Sequence, residues 1–385
     1  MIVFLFWTAL VLIIYTYIGY PLFIYLVSRV RSNHWVKEPL LANVSIIMAV
    51  HNGVATLEDR INDLLELDYP DELVELLIVS DGSTDGTREI LKSVRNPRVR
   101  TWVLEEHAGK AVALNLAIRH ATGEILLFVD SRPRLEKQAL AKIMSNFSDP
   151  HVGAVAGELF LRGEAGDSTT EAVGSLYWRY EQWIRTCEAL VDSAVGVYGG
   201  FYAIRRILAT ELPPGTILDD MFQPLNVIRQ GYRSVLDQEA RVFDTWPVTG
   251  RGEFTRKVRT LAGNFQLFER APWLLTRENR VLFELVSHKL MRLVVPFCIL
   301  VTFSASALLV VRPFYAAMFG IQTCIFLLGI VGWKINKGWL RRLSGPAAAF
   351  LMLNAAVLVG LYRHIKEGDQ LWKIWISPGT KTTMP

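Results

Sequence analysis

The chain has 385 residues, 51% of them apolar, and a formal net charge of only +4. Basic residues beside apolar segments account for that small excess, which leaves no basis for a nucleic-acid partner. Three scattered cysteines, Cys187, Cys298 and Cys324, leave no basis for a disulfide framework or a zinc site.

Charge is absent from Met1 to Ser28, long enough to cross a bilayer at 1.5 Å per helical residue. The run lacks a basic leader and is too long for a cleaved signal, so residues 1–28 are expected to be a retained transmembrane anchor. Arg29, Arg31 and Lys37 follow it and place residues 29–290 on the cytoplasmic side. Residues 42–247 then alternate short apolar runs with amphipathic stretches. VSIIMAV (44–50), ELLIVSD (75–81), RVRTWVL (98–104) and EILLFVD (124–130) read as buried strands, with helical patterns over Ala55–Leu67 and Thr84–Val94 between them. That order predicts an α/β domain with a mostly parallel sheet and helices on both faces.

Residues 248–290 form an expected amphipathic, interfacial segment, and about three further spans are expected within 291–365, before a tail at 366–385. The uncharged stretches there are Leu293–Val311, Phe314–Trp333 and Leu343–Tyr362. A third crossing would carry Arg363, His364, Lys366 and Lys373 to the outer side, against the charge rule, so residues 343–362 are either partly re-entrant or an exception.

In such sheets ligands bind beyond the carboxyl ends of the strands. The first strand ends at His51-Asn52-Gly53, the second at Asp81-Gly82-Ser83-Thr84-Asp85-Gly86 and the fourth at Asp130-Ser131-Arg132. Asp81 suits a polar heterocycle or ribose, although the same residues also read as a turn with Ser83, Thr84 or Asp85 capping a helix. Lys110, at the start of a helix, suits phosphate or is a surface lysine. Asp130 needs a partner: a metal, a sugar hydroxyl or Arg132.

Taken in order, VSIIMAVHNG, IVSDGSTDGT, GKAVALN, FVDSR and ILDDM (217–221) resemble the family 2 glycosyltransferases of GT-A fold. The likeness is to the membrane-bound branch of cellulose, hyaluronan and poly-N-acetylglucosamine synthases. It implies a Rossmann-like mixed sheet flanked by transmembrane helices, and an inverting transfer from a nucleotide sugar, expected to be a UDP-sugar, to a lipid-linked or polysaccharide acceptor. The site would be the cytoplasmic face of a bacterial or archaeal cell membrane, and the product a cell-surface or exported polysaccharide.

By the same resemblance, His51, Asn52 and Asp81 contact the donor base, Lys110 lies near the donor, and Asp130 holds Mg2+ or Mn2+ on the diphosphate. Asp220 is the general base, assisted by Asp219, and Arg259 clamps the diphosphate. The residues alone also allow Asp219 and Asp220 to be helix caps, and Arg259 to face lipid headgroups. Trp178, Tyr180 and Tyr202 are candidate acceptor contacts, with membrane-interface or core packing as the alternative.

The chain departs from the family pattern at His51, Gly53, Arg132, Arg256 and Thr260. Arg132 stands where a second metal carboxylate is usual, so either Asp130 and the donor phosphates alone hold the metal or Arg132, near the donor, supplies part of the cation's charge. Thr260 stands where processive synthases carry tryptophan, which, with only about four spans to build a channel, makes a single or short transfer at least as expected as a processive synthase and translocator. The remaining alternatives are an inactive nucleotide-sugar-binding regulator and a transporter; the second is disfavoured because the expected spans carry almost no ionisable residues.

Overall fold

A computed structural model describes residues 1–162, 168–245, 250–334 and 339–373. The expected domain boundary at residue 247 and the end of the tail lie outside the described residues. A long helix, α1 (Ile2–Val30), leads into the α/β domain. Four parallel strands follow: β1 (Val44–Val50), β2 (Val74–Asp81), β3 (Val99–Leu104) and β4 (Ile125–Val129). They alternate with α2 (Leu57–Leu65), α3 (Thr87–Ser93) and α4 (Lys110–His120). Then come β5 (Arg134–Leu135), α5 (Ala139–Ser145), β6 (Val152–Arg162), α6 (Ser168–Val191), β7 (Phe201–Arg205), α7 (Asp219–Arg229) and β8 (Arg233–Thr245).

These strands form one mixed sheet in the order β3-β2-β1-β4-β7-β6-β8-β5. β1 pairs in parallel with β2 on one side and β4 on the other, so the strand order reverses beside β1. That reversal opens a crevice beyond the carboxyl ends of β1 and β4. β7 then pairs antiparallel with β4 and brings Phe201 opposite Val129 at the mouth of the crevice.

Alternate strand residues build a core on each face of the sheet. Ile47, Leu77, Val79, Leu126 and Phe128 pack with Leu114 of α4 and Leu225 of α7. Ile46, Met48, Leu76, Ile78 and Leu127 pack with Leu57 and Ile61 of α2 and with Leu140 and Ile143 of α5. Each such side chain contributes about 1.5–3 kcal/mol of burial, which fixes the strand ends that carry the polar loops.

Beyond the sheet lie α8 (Gly250–Arg270), α9 (Leu282–Leu308), α10 (Pro313–Lys334) and α11 (Trp339–Glu367). Four helices are long and apolar enough to cross a membrane: Ile2–Val30, Leu282–Leu308, Pro313–Trp333 and Ser344–Glu367. Phe4, Val11, Ile18 and Leu26 of α1, like Ile321, Leu327 and Ile330 of α10, point outward and exposed, as lipid-facing side chains do. α1 and α9 run antiparallel, with Phe6 clustered with Ala305 of α9 at one end and the Tyr15 hydroxyl 2.7 Å from Ser287 at the other.

Two features depart from expectation. First, α9 starts at Leu282, earlier than the apolar text, so its opening turns carry Glu284, His288, Lys289 and Arg292. The view that the spans hold almost no ionisable groups is therefore corrected. Second, α11 begins beside the end of α10, where a Cβ on Gly332 would stand 2.9 Å from the Ser344 side chain, and that end of α10 meets α8 through Trp333 and Phe254. Its other end also rests on α8: Gly360 adjoins Val258 and Ala262, and His364 Nε2 lies 3.2 Å from Glu269. The turn that follows, Gly368–Lys373, lays Trp372 over Gly109 and buries Leu371 in the domain core.

Candidate active site

The loops after β1 and β2 spend most of their polar groups on each other. Asn52, held at φ 52°, accepts the Thr84 N–H at its Oδ1, while its own N–H donates to Ser83 Oγ. The Gly53 N–H donates to Thr87 Oγ1, the Val54 N–H to Asp85 Oδ2, and Asp85 Oδ1 takes the Thr87 N–H at the start of α3. Of Ser83, Thr84 and Asp85, Asp85 alone bonds to the first turn of α3, whose N-cap is Gly86, while Ser83 and Thr84 tie the loop to Asn52.

Asp81 also points inward. It is 2% exposed, and its carboxylate accepts the backbone N–H groups of Ala108 at 2.7 Å and Gly109 at 3.0 Å, with His107 Nδ1 at 2.8 Å. Its carboxylate thus braces the loop that delivers Lys110. The rings presented at this end are those of His51 and His107, whose centroids lie 4.2 Å apart. Trp372 packs edge-on against His107. His107 was not singled out from the sequence, although it stands only three residues before Lys110.

At the β4 end, side chains from three elements converge. Lys110 Nζ lies 3.0 Å from Asp130 Oδ1 and 3.1 Å from Asp219 Oδ1. Asp219 Oδ2 accepts the hydroxyl of buried Tyr202 at 3.0 Å, and the Tyr202 ring stacks on Phe128 at 4.7 Å. Both Asp219 oxygens are therefore engaged within the cluster, and α7 carries no side-chain cap at its N-terminus.

Asp220 sits over the Gly199-Gly200 turn, where a Cβ on Gly199 would stand 2.7 Å from Asp220 Oδ2. The carbonyl of Gly200 accepts the Asp130 N–H, so one glycine pair positions both carboxylates. Burial, reinforced by the neighbouring Asp219 charge, pushes the Asp220 carboxyl up to about 7. Lys110 and Arg185 moderate the rise. Lys110 itself is held above the usual lysine range, because Asp130, Asp219 and Asp220 outweigh its burial. Arg259 of α8 feels the same three carboxylates, although burial pulls its guanidinium below the ordinary arginine value.

Arg132 is placed differently from expectation. Its Nε and Nη2 donate to Asp244 Oδ1 and Oδ2 at 2.8 and 2.7 Å, a forked pair that ties the loop after β4 to β8. Asp130 takes Lys110 as its partner instead. Behind Asp130, Nε of Arg60, a residue not singled out from the sequence, donates to its carbonyl at 3.3 Å. Of the candidate acceptor residues, Trp178 donates to the Leu159 carbonyl, Tyr180 donates to the Tyr17 carbonyl of α1, and Tyr202 is fully buried. Their polar groups join domain to helix or brace the site from beneath.

A divalent cation fits this arrangement in one mode. Among the described residues no three His, Cys, Asp or Glu side chains gather as a metal cluster. Asp130 is 43% exposed at its side chain and engages Lys110 through one oxygen only. One carboxylate combined with substrate phosphates is a common way to hold Mg2+.

Residues 45–211 match the model of Glycosyl transferase family 2. Over that stretch the chain is similar to the family 2 glycosyltransferases. It is 26% identical over 235 residues to poly-β-1,6-N-acetyl-D-glucosamine synthase of Staphylococcus aureus, covering 60% of this chain and 56% of that one. It is 31% identical over 138 residues to the synthase of the same name from Staphylococcus epidermidis, covering 35% and 32%. The chain thus spans little more than half the length of the Staphylococcus aureus relative it matches. Among solved structures it resembles a mannosyltransferase from Pyrobaculum calidifontis in complex with GDP-mannose and Mn2+, at TM-score 0.72 and 20% identity, over 94% of this chain and 99% of that one. That likeness supports the GT-A fold with its flanking apolar helices.

Proposed function

We propose that this membrane glycosyltransferase moves a sugar from a nucleotide-sugar donor, with UDP-sugars the leading class, to a lipid-linked or glycan acceptor at the cytoplasmic membrane face. The observation that carries the reading is the joining of Asp130, Asp219 and Lys110 beside Asp220, a carboxylate raised to about 7. An acceptor hydroxyl is a weak nucleophile, and a base that titrates near neutrality is well matched to take its proton. Asp220 receives that proton as the oxygen attacks the anomeric carbon from the side opposite the diphosphate. The bond to the diphosphate breaks, the nucleoside diphosphate leaves, and the anomeric centre inverts. Lys110 and Arg259 lie where they offset the charge gathering on the leaving group. A divalent cation held by Asp130 and the diphosphate would add to that neutralisation.

The base of the donor is assigned to the loops after β1 and β2, with the His51 and His107 rings as its platform and Asn52 and Asp81 fixing the loops. The course of α11, whose C-terminal end rests on α8, supports its lying along the membrane face rather than across it. Arg363, His364, Lys366 and Lys373 then stay on the catalytic side, as the charge rule requires.

A second reading, processive polymer synthesis, is favoured by the names of the staphylococcal relatives. One experiment addresses both. Protein purified in lipid is incubated with a panel of UDP- and GDP-sugars, with Mg2+, Mn2+ or a chelator, and nucleotide release and product length are followed. Release that is lost in Asp220→Asn supports the enzyme as described; no release with any donor overturns it. Long products select the processive reading.

A further inference from the structure

A second charged cluster lies outside the carboxylate site, at the seam of α1, α6 and α9. Glu181 of α6 is 3% exposed and meets three fixed cations: Arg185 Nη2 at 3.2 Å, Lys289 Nζ at 2.8 Å and Arg292 Nη1 in a close ion pair. The buried His288 ring lies between Glu181 and Glu188, at 3.1 and 2.7 Å, and Glu188 also accepts the Tyr20 hydroxyl at 2.7 Å. Three fixed cations thus stand against two carboxylates, one of them already taken by Tyr20 and His288. Burial acts to raise the Glu181 carboxyl, yet Arg292, Lys289, His288 and Arg185 together hold it well below the usual range.

The cations also have donors left over. Arg185 Nε, Arg292 Nε and Arg292 Nη2 are buried and find no hydrogen-bond acceptor among the described residues. Buried cations with unused donors are costly as pure scaffolding. Arg185, Lys289 and Arg292 nevertheless keep 12–14% of their side-chain surface open. Aromatic faces flank them: the Arg185 guanidinium lies over Trp178 and that of Arg292 over Tyr180.

The cluster is also close to the proposed base. A Cβ on Gly196 would touch Lys289 Cε at 3.5 Å on one side and Met221 Cγ at 3.7 Å on the other, and Met221 directly follows Asp220. On its far side the cluster is walled by α1 and α9, two of the membrane-candidate helices. An anion seated here would have its tail among apolar helices and its head one residue layer from Asp220.

We infer that Arg185, Lys289 and Arg292 form a binding site for the phosphate or diphosphate of a lipid-borne acceptor. The inference rests on the proposed transfer to an acceptor at the membrane face and assigns that acceptor's anionic group a place.

The test measures binding separately from turnover. Undecaprenyl phosphate is titrated into the full chain in phosphatidylcholine nanodiscs, with undecaprenol, phosphatidylglycerol and inorganic diphosphate as separate arms. Undecaprenyl phosphate is expected to bind more tightly than all three. Lys289→Gln and Arg292→Gln are expected to weaken it roughly tenfold each, the scale of one lost charge-assisted hydrogen bond. Glu181→Gln, which removes the competing carboxylate, is expected to tighten it. This gain distinguishes a ligand site from a structural brace, since a brace would lose thermal stability in all three variants with no change in lipid affinity.

Absence of binding, affinity indifferent to the three substitutions, or equal affinity for phosphatidylglycerol, inorganic diphosphate or undecaprenol each overturns the site. Nucleotide release into water from the donor alone, measured on the parent chain, checks the enzyme reading independently. If release is absent while lipid binding persists, the transfer reading fails and the lipid site stands.

Discussion

The Lys110 ammonium lies 3.0 Å from the Asp130 carboxylate and, in the same position, 3.1 Å from that of Asp219. One side chain at the start of α4 thereby joins the strand-end carboxylate proposed to face the donor to the helix that carries the proposed base. Substituting Lys110 by Met is expected to lower transfer about 100-fold, in line with the loss of one fixed electrostatic donor. Lys110 also helps hold the Asp220 carboxyl down, so the same variant is expected to shift the pH–rate profile towards alkaline pH. Steady-state rates across pH check both effects.

The Asp220 carboxyl titrates at about 7. A general base works only when deprotonated, so the rate is expected to rise as pH passes through about 7 and to level off above it. Asp220→Asn is expected to reduce transfer roughly 1,000-fold and to abolish that pH dependence.

Because its folded value lies above the ordinary 3.8, ionising Asp220 opposes folding, and this penalty builds as pH rises from 3.8 to about 7 and then levels off. Asp220→Asn is therefore expected to melt at a higher temperature than the parent at pH 8, with a smaller difference at pH 5. Thermal melts at the two values decide it.

Arg132 and Asp244 make a forked pair in which the Asp244 side chain is 2% exposed and Arg132 44%. Arg132→Ala is expected to cost about 2 kcal/mol, chiefly through the carboxylate left behind, discounted for the exposure of the arginine. Arg132→Leu combined with Asp244→Leu is expected to restore most of it. If Arg132 acted on the donor, the single variant would instead raise the donor KM at unchanged stability.

Gly82 adopts φ 59°, and a Cβ there would meet the His107 backbone nitrogen at 2.1 Å. Gly82→Ala is expected to push apart the two loops that Asp81 joins, raising the donor KM at least tenfold while α1 and the other apolar helices remain inserted. Donor titration and protease resistance of the membrane-embedded part check the two halves.

Much of the donor side is legible in the amino-acid order. Apolar runs ending in His51, Asp81 and Asp130 follow from strand periodicity and from the rule that parallel strands present ligands at their carboxyl ends. Tertiary pairing is not legible there. Arg132 stands two residues from Asp130 along the chain, and that proximity makes it the natural partner. The fold instead pairs it with Asp244, 112 residues away. Asp81 likewise reads as a free strand-end carboxylate until the loop before α4 closes on it. The start of α9 is hidden because polar residues such as His288 and Arg292 break an apolar window, although the α-helical backbone continues through them to Leu308 with a local π turn. The course of α11 is hidden for a related reason: apolar length is a property along the chain, whereas crossing or returning depends on what each end touches.

The turn after α11 places Trp372 on Gly109, at the far end of the chain from the loop it covers. α9, α10 and α11 all lie between the two residues. During synthesis the sheet and its loops emerge first, and the covering side chain reaches them only after those helices have been made and settled at the bilayer. Completion of the donor end is therefore timed by insertion, and a copy that fails to reach the membrane is expected to lack a finished nucleotide site.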